Sequence, residues 1–446
     1  MEKMKNSGIE WIGDIPEGWE VKKLKYIATS FKKGNGITKE QIIENGDTPC
    51  VRYGDIYSKY NYSFTECKVR TNKNIIENPK YFSYGDILFT CTGELIEEIG
   101  KSIVYLGSDE CLAGGDIFIA KHFENPVFMG YALDSFYTQN QKSFGKAKLK
   151  VVHISTGEIE NLFVCIPPLE TQKRIADFLD EKCVKIDGLK NEIQKQIETL
   201  EQYKKSVITE AVTGKLKFAG INPNAKMKDS GIEWMPLIPE HWNMDKLKYN
   251  LTVHEIKGYG DKEVLSLYRE LGIVPKNSRD DNHNVTSEDT SKYKYVRKGD
   301  FVINKMKAWQ GSVAVSDYEG IVSPAYYVYE FITENYDKRY FHHLMRNKIL
   351  ADEFRRISGG IREGQWDLDR EQFENMYLPV PPKSEQIAIA DFIDSKYGNI
   401  EKSVELKKHQ LEKLEDYKKS LIFEYVTGKR EVSCEFPSET SGKKEV

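Results

Sequence analysis

Basic and aromatic side chains alternate along two stretches of this chain, a pattern suited to gripping a polyanion and stacking on flat rings. In the first stretch they are Lys33, Arg52, Tyr53, Lys59 and Tyr60, followed by the cluster Lys146, Lys148 and Lys150. In the second they are Lys292, Lys294, Lys305, Lys307 and Trp309, then Arg362, Gln365 and Trp366. Lysine and arginine suit phosphate oxygens, while arginine and glutamine can make paired hydrogen bonds to base edges. The segment Ser358–Trp366 (SGGIREGQW) is the best single candidate, because its glycines permit close backbone approach. Alone the pattern is weak, since any one lysine is more often a solvated surface group.

Bond-making chemistry is not evident in the residues. A phosphate-cradling loop needs GxxxxGK[ST] opening a helix, whereas the TGK runs at Thr213–Lys215 and Thr427–Lys429 follow helical patterns and read as helix caps. An amino-methyltransferase would show Asn or Asp before Pro-Pro-aromatic, which Pro167–Pro168 and Pro381–Pro382 lack. There is no HExxH. The adjacent His342 and His343 fall on a predicted helix, where neighbours point apart. The seven cysteines are scattered, with no CxxC, and read as ordinary buried thiols of a reducing compartment. No metal ligand set and no bound cofactor are expected.

The formal net charge is −4, which argues against a free-standing DNA binder with a high pI. Any positive charge must be local, or a partner must supply the rest. With 39% hydrophobic residues there is ample material for cores. No apolar run nears the ~20 residues of a membrane span. MEKMKNSGIEWIG has no secretory pattern, so a cytoplasmic protein is expected.

The elements that must position these residues occur twice. Met4–Tyr26 (MKNSGIEWIGDIPEGWEVKKLKY) returns as Met227–Tyr249 (MKDSGIEWMPLIPEHWNMDKLKY). Pro167–Lys215 opens PPLETQKRIADFLD and returns as Pro381–Lys429, opening PPKSEQIAIADFID; both close on VTGK. Such a duplication suggests a pseudo-twofold object suited to two separated sites. In the first tail Ile186, Leu189, Ile193, Ile197, Leu200, Tyr203, Val207 and Ala211 step by threes and fours, as do Ile400, Val404, Leu411, Leu414, Tyr417, Leu421 and Tyr425 less strictly in the second. Each spacing predicts a helix of some 35–40 residues, a rod of roughly 50–60 Å. Two like rods in one chain can pair and act as a ruler, or expose arms to another protein. Gly188 and Gly398 are weak points, and Gly214 and Gly428 are expected C-terminal caps. The middles are strand-rich: SYGDILFT (Ser83–Thr90) matches RKGDFVIN (Arg297–Asn304), and CLAGGDIFIAK and GIVSPAYYVYEF are strand-like. The tryptophans and prolines of the heads are expected to pack each middle against the helices.

The order of these parts resembles the specificity subunit of type I restriction–modification systems. The resemblance covers nearly the whole chain. It is carried by IPPLETQKRIADFLD and VPPKSEQIAIADFID, by the SGIEW…IPE.W heads and by the YGDIL-type strands. The first copy departs from the pattern with Thr171 before Gln172, where the second has Glu385–Gln386. The resemblance implies an α+β fold with two target recognition domains separated by two long antiparallel coiled-coil helices. It divides the chain into a first recognition domain (1–165), a central helix (166–216), a linker (217–226), a second recognition domain (227–379), a C-terminal helix (380–429) and a disordered tail (430–446). It implies a non-catalytic subunit that reads one half of an asymmetric, bipartite double-stranded DNA target with each domain. Partners would be two methyltransferase subunits and, where the system has them, two restriction (translocase–nuclease) subunits. S-adenosylmethionine, ATP and Mg2+ would sit on those partners. Two other readings stay open, a fused or stand-alone methyltransferase or endonuclease, and a protein-binding scaffold.

Overall fold

A computed structural model describes residues 3–146, 152–218, 220–221, 224–269, 271–278, 289–360 and 366–432. The chain divides into two compact units, one of residues 1–193 with 409–446, the other of 194–408.

In the first unit a hairpin of Met4–Asn6 and Asp14–Pro16 precedes strand Glu20–Lys23, which pairs with Phe163–Ile166, and α1 (Leu24–Ile27). A five-stranded sheet follows in the order Ser30–Lys33, Ile117–Lys121, Ile87–Thr90, Ser102–Tyr105, Ser63–Phe64. Its centre, Ile87–Thr90, is buried at every residue, as a continuous apolar run predicts. The Asp86 of YGDIL fixes the turn into that strand by accepting from the Ser83 amide at 2.9 Å. The expected strand CLAGGDIFIAK is two strands, Cys111–Ala113 and Ile117–Lys121, because Gly114–Asp116 turns the chain from one sheet to another. Helices α2 (Tyr53–Lys59), α3 (Pro126–Asp134), α4 (Phe136–Ser143) and α5 (Thr156–Glu160) complete the domain. Asn125 caps α3 and Pro126 opens it, where a missing N–H is harmless.

The second unit repeats the plan. The hairpin Met227–Asp229 with Leu237–Pro239 leads to Asn243–Lys246, paired with Tyr377–Val380. Its main sheet runs Leu251–Val253, Tyr326–Phe331, Phe301–Asn304, Val313–Val315, the order of the first four strands in the first unit. Asp300 repeats the turn of Asp86, accepting from the Arg297 amide at 2.8 Å. Helices α7 (Lys338–Met345), α8 (Lys348–Arg356) and α9 (Arg370–Glu374) follow, with α7 and α8 capped by Asp337 and Asn347.

The two long helices are α6 (Leu169–Val212) and α10 (Lys383–Val426), 44 residues each and longer than expected. They start directly after the Pro-Pro pairs and run unbroken through Gly188 and Gly398. Both units draw on both helices, and in both the pairing is antiparallel. In the first unit Asp187 and Lys190 meet Lys418 and Glu415; in the second Gln196 and Lys204 meet Lys407 and Glu401.

The seam differs from expectation at three positions. Ile186, Ile197, Val207, Ile400 and Leu421 are buried, and Ile193, Leu200, Leu411 and Leu414 are partly so. Tyr203 and Tyr417 are instead 50% and 53% exposed, and Leu189 is exposed as well. A strict alternation of four and three runs through Ile186, Lys190, Ile193, Ile197, Leu200, Lys204 and Val207, and through Ile400, Val404, Lys407, Leu411, Leu414, Lys418 and Leu421. Lysines occupy seam positions there, and the tyrosines one residue away point to solvent.

The repeated tail motif has a structural reason. Gln172 is fully buried, accepts from the Asn125 amide at 2.9 Å and donates to the Pro167 carbonyl at 2.8 Å. Gln386 does the same with the Asp337 amide (2.7 Å) and the Pro381 carbonyl (2.8 Å). Each glutamine thus ties the N-cap of a domain helix to the start of a long helix. Two turns on, Tyr131 donates to Asp180 at 2.7 Å, and His343 meets Asp394 at the same distance.

The heads pack on helix ends. Gly214 (φ +71°) and Gly428 (φ +69°) are the left-handed caps of α6 and α10. A Cβ on Gly214 would lie 2.5 Å from Pro239, and one on Gly428 would lie 2.4 Å from Pro16. Trp242 and Trp19 are buried beside them, whereas Trp11 is exposed. At the departure noted in the motif, Trp242 Nε1 and His241 Nε2 each lie 2.8 Å from a Glu385 carboxylate oxygen. The first copy has Gly18 and Thr171 at these places.

Among the described residues no helix is long and apolar enough to cross a membrane. The six described cysteines are free and buried.

Candidate nucleic-acid interface

The structure separates the basic and aromatic candidates by what their side chains already do. Tyr60 is 6% exposed; its ring packs 4.3 Å from Phe64 and its hydroxyl accepts from the Lys68 amide, so it belongs to the core. Burial also pushes its phenol up to about 12. Lys294 is 5% exposed, with Nζ 2.8 Å from Glu255 and 2.9 Å from the Tyr326 carbonyl, so it ties its strand to the start of Tyr326–Phe331. Arg52 and Lys59 both hold the buried Asp55, at 3.1 and 2.7 Å, each from one helical turn away. Burial raises the Asp55 carboxyl, but bonds from Arg52 and Lys59 outweigh that and hold it below the usual range. Tyr60 and Lys294 are buried and engaged, with nothing left to offer a ligand, whereas Arg52 and Lys59 are partly exposed and already hold Asp55.

Other candidates remain accessible. Tyr53 and Lys33 are exposed, Lys33 at the end of the edge strand Ser30–Lys33. Lys146 is half-buried and paired with Glu158 at 2.7 Å. Lys292 and Lys307 are exposed. Lys305 bonds Asp367 at 2.8 Å, and this contact raises its ammonium above the usual range despite burial. Trp309 donates to the Met306 carbonyl, and its ring lies 5.5 Å from Trp366. The Arg355 guanidinium sits 5.7 Å over Trp366, a cation–π stack. Lys148, Lys150, Arg362 and Gln365 lie outside the described residues.

Two polar groups were missed from the sequence. Half-buried Thr92, in the short strand Thr92–Gly93, and exposed His153, in its partner strand Val152–His153, meet at 3.2 Å through Oγ1 and Nδ1. Neither belongs to a basic or aromatic run, and only the strand pairing brings them together.

Two domains on one scaffold, with different polar side chains at corresponding places and each packed on antiparallel helices, define a duplicated DNA-specificity protein. Residues 16–199 and 250–416 match the family model of the type I restriction modification DNA specificity domain, and the chain belongs to that family. It is similar to the type I restriction enzyme MjaVIII specificity subunit of Methanocaldococcus jannaschii, with 25% identity over 93% of each chain. It is also similar to the EcoKI specificity subunit of Escherichia coli strain K12, with 23% identity over 69% of this chain and 63% of that one. A chain solved in work on complex assembly and conformational transition of the type I R-M system shares the fold, with a TM-score of 0.68 at 12% identity over 92% of this chain and 98% of that one. The HsdS subunit from Thermoanaerobacter tengcongensis does so at 0.51 and 14% identity, over 93% and 98%.

Proposed function

We propose that this specificity subunit reads a bipartite, asymmetric double-stranded DNA target, one half-site with each recognition domain, and that it catalyses no reaction itself. The observation that carries this is a duplicated scaffold whose tail clamps (Gln172 and Gln386) are identical while the polar groups on the domains differ. Repeated heads and tails suit two copies of one partner, and different domain side chains suit two different sequences. In this reading two methyltransferase subunits dock on the repeated parts, and two restriction subunits join where the system has them. S-adenosylmethionine, and ATP with Mg2+, act on those partners. The paired helices set the gap between half-sites. A net charge of −4 fits a chain whose partners share in neutralising the DNA phosphates.

The test is genomic adenine methylation in cells carrying the chain with its modification partner, compared with cells lacking the chain. A two-part motif methylated only when the chain is present is expected. A stable complex that methylates no motif would favour a scaffold.

A further inference from the structure

We infer that both recognition domains read bases with the same edge: the turn that leaves the central buried strand, laid beside the short strand leading into α5 or α9. This deepens the bipartite reading proposed above and rests on it.

The two edges share a backbone bond at the same place. In the first domain the Ile154 amide donates to the Cys91 carbonyl at 3.0 Å; in the second the Leu368 amide donates to the Lys305 carbonyl at 2.9 Å. Cys91 and Lys305 each follow the last residue of the central strand, and His153 and Asp367 each precede the donor residue. On this shared frame the side chains are unlike. The first edge carries Thr92 against His153, with Lys33 close enough to Cys91 to oppose the upward push that burial gives its thiol. The second carries Lys305 against Asp367, exposed Lys307, and the stack of Trp309, Trp366 and Arg355.

Elimination points to the same place. Tyr60, Lys294, Arg52 and Lys59 have structural duties elsewhere in their domains. Of the candidates that stay accessible, Lys305, Lys307, Trp309 and Trp366 fall on the second edge and Lys33 lies by the first, while Tyr53, Lys146 and Lys292 also stay accessible.

The chemistry suits base edges. Threonine and histidine can each donate and accept, as groove recognition needs. A guanidinium stacked on an indole loses less freedom when it bonds, and its fork matches two acceptors of guanine. A constant backbone frame with exchangeable side chains lets specificity change without disturbing the core.

The experiment maps adenine methylation by the full chain with its modification partner, in wild type, Thr92→Val, His153→Ala, Arg355→Ala and Lys307→Ala. Thr92→Val and His153→Ala are expected to relax discrimination in one half-site only, by about ten-fold at one base position, and Arg355→Ala in the other half-site only. Lys307→Ala is expected to lower methylation at all sites sharing the second half-site. Thermal melts matching wild type identify a recognition effect; a variant that melts early is replaced by His153→Asn or Arg355→Lys, with the same half-site expected to change. If wild type methylates a two-part motif and every variant keeps the same bases and yield, the inference is overturned while the reading stands. If wild type yields no two-part motif, both fall.

Discussion

Lys418 places its ammonium 2.7 and 2.8 Å from the two carboxylate oxygens of Asp187, from a seam position of α10 that the heptad reserves for an apolar side chain. Its counterpart in the repeat is Lys204 of α6, which lies 3.3 Å from Glu401 and 3.4 Å from the centroid of Tyr397. Each helix thus contributes one lysine and one acid to equivalent pairs, one pair in each unit. A shift of either helix by one residue would leave a seam lysine without its carboxylate, so these pairs specify register.

Removing Asp187 should therefore be felt. Lys418 is 6% exposed, and Asp187→Ala would strand its charge in the seam. The expected loss is about 1–2 kcal/mol, less than for a fully buried pair because the Asp187 side chain is 38% exposed. Replacing both partners with leucine should restore most of the thermal midpoint, since two apolar groups leave nothing unpaired. A single variant that melts with wild type would show the pair to be screened by solvent.

Glycine to alanine substitutions should split by position. At Gly188 and Gly398 a methyl meets open space within a helix, and each change should stabilise by about 0.5–1 kcal/mol. At Gly214 and Gly428 the same change meets a proline ring and a left-handed backbone, and should destabilise by about 1–3 kcal/mol. Thermal midpoints of the four variants decide it. Equal shifts at all four would contradict the packing of the heads on the helix ends.

The seam should also weaken in acid. Burial raises the Glu415 carboxyl, but its bond and charge contact with Lys190 outweigh this and hold it below the usual 4.5. A carboxyl depressed in the folded state contributes stability that is present above its unfolded value and is lost as pH falls through the folded value. Glu415→Gln should therefore melt below wild type at neutral pH, with the difference shrinking as pH drops below roughly 4.5. A difference that stays constant across that range would mean Glu415 contributes no ionic stabilisation.

Repeats, periodicity and turn chemistry made the architecture legible. The VTGK glycines, the Gly-Asp turns and the Pro-Pro helix starts are local signals, and each has its structural counterpart. The seam reading falls one residue off at Leu189, Tyr203 and Tyr417, because apolar character is the guide where Lys190, Lys204 and Lys418 hold the positions. The strict four-three spacing was available as a signal. The interface was less legible, since burial is decided by long-range packing. Lys294 and Tyr60 look like exposed residues in their local sequence and are enclosed by strands and rings distant in the chain. Thr92 and His153 become neighbours only through strand pairing.

Lengthening the helices tests whether they set the distance between half-sites. One heptad inserted into α6 between Ile193 and Ile197, with a matching heptad in α10 between Val404 and Leu411, keeps the antiparallel seam in register. At about 1.5 Å per residue the addition is roughly 10 Å, the length of about three base steps along B-DNA. The methylated motif should then keep both half-sites and gain about three base pairs in the gap, with some loss of efficiency because the half-sites also rotate about the DNA axis by roughly a third of a turn. An unchanged gap, in a variant that still folds and methylates, would refute the role of α6 and α10 as the spacer.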